Sequence, residues 1–90
     1  MDLEKILTSK TNFKIIKLFC EHPQCIDSVQ GISLWTGLPE DKTKTALQKL
    51  AQCNLLVEHK TFSAQGYALT QDKKTITAVK KWLRLNGSGA

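Results

Sequence analysis

Two sets of residues in this 90-residue sequence have types and spacings suited to chemistry. In the first, Cys20-x-His22-x-x-Cys25 brings two thiols and an imidazole close together, and His59 or Cys53 could complete a four-donor zinc or redox site. The spacing is not a C-x-x-C pair, and Cys20 and Cys53 also fall on apolar helix stripes, where a small thiol packs as a hydrophobe. Core packing is therefore the reading taken for the thiols. His22 and His59 read as surface or capping residues, and no metal or cofactor is assigned. In the second set Lys42, Lys44, Thr45, Gln48 and Lys49, joined further on by Lys60, bring ammonium, hydroxyl and carboxamide groups that suit phosphates and base edges as well as water. There is no phosphate loop, no nucleophile elbow and no local grouping of His, Ser and carboxylate, so the chain reads as a non-enzyme.

The formal charge of +5 is unevenly spread. Residues 1–41 hold four Lys against six Asp and Glu, whereas residues 42–90 hold nine Lys and Arg against only Glu58 and Asp72. Such a second half suits a polyanion, and composition alone fits a lysine-rich solubilising surface equally well. At 41% hydrophobic residues the chain is long enough to close one core and too short for two. Residues 1–86 are taken as a single domain and Gly87-Ser88-Gly89-Ala90 as a flexible tail. No run approaches the roughly 20 apolar residues of a membrane helix, and the start lacks the basic and apolar regions of a signal peptide. Three cysteines are an odd number for a secreted disulfide framework, so a cytoplasmic protein with reduced thiols is expected.

The elements that must hold these side chains follow from periodicity and breakers. Leu3, Ile6 and Leu7 start a short helix that breaks near Thr8-Ser9. A second helix from Thr11 or Asn12 to about Glu21 puts Ile15, Ile16, Phe19 and Cys20 on one face, and Pro23 stops it. Asp27 or Ser28 caps a third helix, with Gln30 placed for a capping box with Asp27, and Val29, Ile32, Ser33 and Thr36 facing inward. Gly37 tolerates the positive φ of a helix end, and Pro39 suits the start of the next helix. That helix runs to about Cys53, with Thr43, Ala46, Leu47, Leu50 and Cys53 on one arc. Asp41, Lys44, Thr45, Gln48 and Gln52 lie opposite, with Lys42 and Lys49 on the borders. Leu55 to Lys60 and Tyr67 to Thr70 read as two strands around a loop ending in Gly66. Asp72 opens a last helix with Ile76, Val79 and Leu83 apolar.

This order resembles a winged helix-turn-helix. Ser28 to Pro39 resembles the family's first helix and turn, in which a Gly-Leu pair, here Gly37-Leu38, precedes the recognition helix. Thr43 to Leu56 resembles the recognition helix and its exit, and Tyr67-Ala68-Leu69-Thr70 the strand after the wing. The resemblance covers about residues 11–70 and is nearest to prokaryotic transcription regulators of the ArsR and MarR kinds. It implies an α+β, mostly helical fold with a three-helix core, a two-stranded β-hairpin wing and a C-terminal helix. Asn54 stands where the family usually has glycine, and Ser33 and Thr36 replace more apolar residues. The pair of vicinal cysteines that marks many metal-sensing ArsR relatives is absent.

Carried over residue by residue, the resemblance implies binding of double-stranded DNA, with helix 39–53 in the major groove and wing 60–66 on the backbone. Lys42, Lys44, Thr45 and Gln48 become groove contacts, and Lys49 and Lys60 become phosphate contacts. Glu40 and Asp41 oppose this, since carboxylates at a groove-entering helix start repel phosphate unless they accept from a cytosine amino group. The rival reading is a protein-interaction module using Trp35, Phe62 and that acidic pair; a third is a thiol- or metal-responsive regulator using Cys20, His22 and Cys25. A homodimer through the terminal helices would draw on Leu3, Ile6, Leu7, Val79, Trp82, Leu83 and Leu85, and a packed monomer is the alternative. If the division of contacts holds, Lys49→Ala flattens the salt dependence of DNA binding by about 0.9 in log-log slope. Gln48→Ala instead changes sequence preference. Equal losses on all sequences for both variants would remove the division.

Overall fold

Hydroxyl and amide side chains set the boundaries that apolar periodicity leaves open. In the computed structural model, which describes residues 3–86, helix α1 spans Leu3–Leu7 and helix α2 spans Lys10–Glu21. Helix α2 starts at Lys10, earlier than Thr11 or Asn12, because the Ser9 hydroxyl accepts from the Asn12 amide at 3.4 Å and caps it. Its C-cap is His22, next to Pro23. Helix α3 spans Val29–Thr36; of the two candidate caps it uses Ser28, whose hydroxyl accepts from Gly31 N at 3.1 Å. Gly31, not Gln30, therefore takes the third helical position, and the Asp27–Gln30 box does not form. A Cβ at Gly31 would run into the Asp27 carboxylate, which turns back to accept from Ser28 N at 2.8 Å.

Helix α4 spans Glu40–Gln52, strand β2 Leu56–Lys60, strand β3 Gln65–Leu69 and helix α5 Lys73–Asn86. The expected hairpin gains a third strand. Strand β1, Ile26–Asp27, pairs antiparallel with β3 at Ile26↔Ala68 and Asp27↔Tyr67, giving the sheet order β1-β3-β2. A two-residue strand is too short to display the alternation by which strands are recognised in sequence. The wing loop is also tighter than 60–66: Lys60 still pairs with Gln65 and His59 with Gly66, leaving residues 61–64 as the connection. Thr61 closes it, donating its amide to Ala64 O at 2.8 Å and accepting from Ala64 N through its hydroxyl at 3.0 Å. Residues 87–90, expected as a flexible tail, lie outside the described residues.

One core joins the elements: Leu7, Ile15, Phe19, Ile32, Leu47, Leu50, Leu56, Tyr67 and Val79 are all buried. Trp82 packs edge-on against Phe13, ring centroids 5.9 Å apart, and so ties α5 to α2. Asn54 has φ 63°, the left-handed geometry expected where the family carries glycine. No helix among the described residues is long and apolar enough to cross a membrane.

The buried Asn12 was not singled out by its sequence context. Its side-chain amide donates to Ile6 O at 2.9 Å, pinning the end of α1 to the start of α2. Asn12→Ala leaves that buried carbonyl without its donor and is expected to destabilise the fold by about 1–3 kcal/mol, read as a lower urea midpoint.

Candidate nucleic-acid interface

The outward face of α4 depends on how α3 hands the chain over. Gly37, at φ 75°, caps α3 in the left-handed conformation and donates its amide to Ser33 O at 2.9 Å. The Ser33 hydroxyl donates across the turn to Leu38 O at 2.5 Å, and the Thr36 hydroxyl donates to Ile32 O at 2.8 Å while accepting from Leu38 N at 3.3 Å. Ser33 and Thr36 do more than soften the contact between helices. They satisfy the polar groups of the turn, which a sequence view of them as weakened apolar positions misses.

On α4 the inward arc is as expected. Thr43, Ala46, Leu47 and Leu50 are buried, Thr43 with its hydroxyl returned to Pro39 O at 2.9 Å, and Cys53 is half-buried as the C-cap. Lys42, Lys44, Thr45, Gln48 and Lys49 are all exposed, together with Glu40, Asp41 and Gln52. Five of the six proposed contact residues thus share one helix. The sixth, Lys60, ends β2 at the foot of the wing loop. The two carboxylates occupy the first turn of α4, where they favour its positive end. Phe62, at the wing tip, is fully exposed.

Cys20, His22 and Cys25 are not gathered into a site. Among the described residues no group of three or more His, Cys, Asp or Glu is arranged to hold a metal ion. Cys20 is half-buried against the core, His22 lies 5.7 Å from the Trp35 ring between centroids, and His59 is exposed on β2. Of the apolar residues set aside for a dimer, Ile6, Leu7 and Val79 are buried within the chain itself. Leu3, Trp82 and Leu83 are half-buried and Leu85 is exposed.

This arrangement of helices and sheet recurs among solved structures. HlyU from Vibrio cholerae N16961 matches with a TM-score of 0.71 and 19% identity, over 93% of this chain and 87% of its own. The homodimeric winged helix-turn-helix DNA-binding domain Mb0332 from Mycobacterium bovis, described as a possible ArsR-family transcriptional regulator, matches with a TM-score of 0.68 and 20% identity, over 89% of this chain and 73% of its own. A possible transcriptional regulator from Methanosarcina mazei Go1 matches with a TM-score of 0.65 and 15% identity, over 97% of this chain and 81% of its own. No family model and no curated protein matches the sequence. The fold is a winged helix-turn-helix.

Two groups behind the interface have perturbed acidity. Burial pushes the Cys20 thiol above its ordinary value of 9.0; Lys80 opposes this and Glu21 adds to it. Burial also raises the Tyr67 phenol above 10.0, helped by the charge of Glu58, whose carboxylate accepts from the Tyr67 hydroxyl at 3.2 Å. Both groups hold their protons more tightly folded than unfolded, so their contribution to stability is complete below pH 9 and is lost as pH rises through the raised values. Urea midpoints measured from pH 7 to 11 are expected to fall at the alkaline end, and Cys20→Ser to delay the onset.

Proposed function

We propose that residues 1–86 form a single DNA-binding domain of a transcription regulator. Helix α4 enters the major groove, with Lys42, Lys44, Thr45 and Gln48 toward the bases, while Lys49 and Lys60 lie on phosphates. The observation that carries this reading is the outward face of α4, which is wholly polar, rich in ammonium and carboxamide donors, and held in place by a hydrogen-bonded turn. Support also comes from the fold, since solved structures that share it are described as a predicted DNA-binding transcriptional regulator from E. coli and as the DNA-binding domain Mb0332. Mb0332 is described as homodimeric. By analogy a homodimer would use the apolar surface left on the terminal helices, centred on Leu85 with Leu3 and Leu83. That surface is smaller than the sequence suggests, because the core has already taken Ile6, Leu7 and Val79.

A specific observation also favours a protein-interaction module. Leu34 and Trp35 are 84% and 65% exposed on α3, Phe62 is exposed on the wing, and Glu40 and Asp41 place negative charge at the start of α4. The DNA reading is preferred because the proposed contact set carries four lysines and no acid.

Titration of labelled duplex, random and then selected from a degenerate pool, separates the two. Binding through about four phosphates gives a log-log salt slope of about −3.6 for a monomer. The Lys44→Ala/Lys49→Ala double variant is expected to lose most of that binding. Absence of binding at low salt would favour the interaction module instead.

A further inference from the structure

The cationic surface continues past α4. A cleft of about 380 Å³ lies between this helix and the α1–α2 junction, lined by Lys5 and Thr11 on one side and Lys42, Thr45 and Lys49 on the other, with Asp41 also in the lining. Among the described lining residues, three ammonium groups stand against one carboxylate. Among the described residues that line it, Ala46 alone is apolar, so it suits a small hydrated anion better than an apolar ligand.

We infer that this cleft seats a backbone phosphate of the duplex that α4 reads, with Lys5 as the cation contributed from outside the helix-turn-helix. The inference rests on the DNA-binding reading above. An α-helix with its side chains is about 10–12 Å across, and the major groove is about 12 Å wide. A helix seated there brings whatever stands beside it against the phosphates that border the groove. On this flank of α4 the neighbouring element is the α1–α2 junction, and its charged contribution to the cleft is Lys5. The position of Lys5 is fixed rather than incidental: the carbonyl of the adjacent Ile6 is pinned by the buried Asn12 side chain, which itself reaches the cleft. The Thr11 hydroxyl adds a donor for phosphate oxygens, whereas the Thr45 hydroxyl donates to Asp41 O at 3.1 Å.

The test compares wild type, Lys5→Ala and Lys5→Arg on duplex DNA across a salt series. It also uses duplexes in which single phosphates are replaced in turn by neutral methylphosphonate. Lys5→Ala is expected to weaken binding by the same factor on every sequence, about fivefold to tenfold near 0.1 M salt, and to flatten the log-log slope by about 0.9. Lys5→Arg is expected to keep the wild-type slope. One methylphosphonate position that weakens wild-type binding is expected to weaken binding by Lys5→Ala distinctly less. An unchanged slope and an unchanged methylphosphonate profile in Lys5→Ala, while Lys49→Ala still weakens binding, would overturn the phosphate seat and leave the DNA reading standing. Absence of duplex binding by wild type would overturn both. Lys5 is exposed, and matching circular dichroism of the variants separates lost contact from lost fold.

Discussion

The left-handed turn at Gly37 is the constraint from which the geometry of the polar face follows. Without a residue that accepts φ 75°, α3 could not end where it does and Leu38 could not bring Pro39 to the head of α4. The hydroxyls of Ser33 and Thr36 hold both polar groups of Leu38, so the turn is fixed by hydrogen bonds as well as by backbone preference. Burial of Thr43, Leu47 and Leu50 then sets the rotation of α4 about its axis. With that rotation set, Lys44, Thr45 and Gln48 have only one direction in which to point.

Charge and packing divide the molecule differently. The basic second half of the chain contributes nearly all of α4, the wing and α5, yet the cleft beside α4 is also lined by Lys5 from the first half, where acids outnumber bases. Net charge by segment therefore does not tell which lysines share a surface. Glu40 and Asp41 in the first turn of α4 favour the helix's own positive end, which explains their place there while leaving them opposed to an anion at that end.

The short strand β1 illustrates a similar division. It lies between the cap of α2 and the cap of α3, and its pairing with β3 brings the backbone leading into α3 onto the sheet that carries the wing. The two residues of β1 thus add a backbone link between the hairpin and the helix-turn-helix, and the wing loop is held to four by pairing that runs as far as Lys60 and Gln65.

Element order, the inward arc of α4, the positive φ at Gly37 and the left-handed Asn54 were legible in the sequence, because each follows from local periodicity or from a residue's own conformational range. The exposed polar face of α4 was legible for the same reason: one helix displays its residues at helical spacing. Strand β1, the Asn12–Ile6 clamp, the staple by Ser33 and Thr36 and the cleft containing Lys5 were not, since each depends on which distant or mutually turned groups the fold brings within reach. Cys20, His22 and Cys25 lie close along the chain and still are not grouped to hold a metal ion: Cys20 is half-buried against the core and His22 is the C-cap of α2 beside Trp35. Proximity in sequence determined the elements, and only the packing of those elements decided which side chains share a surface.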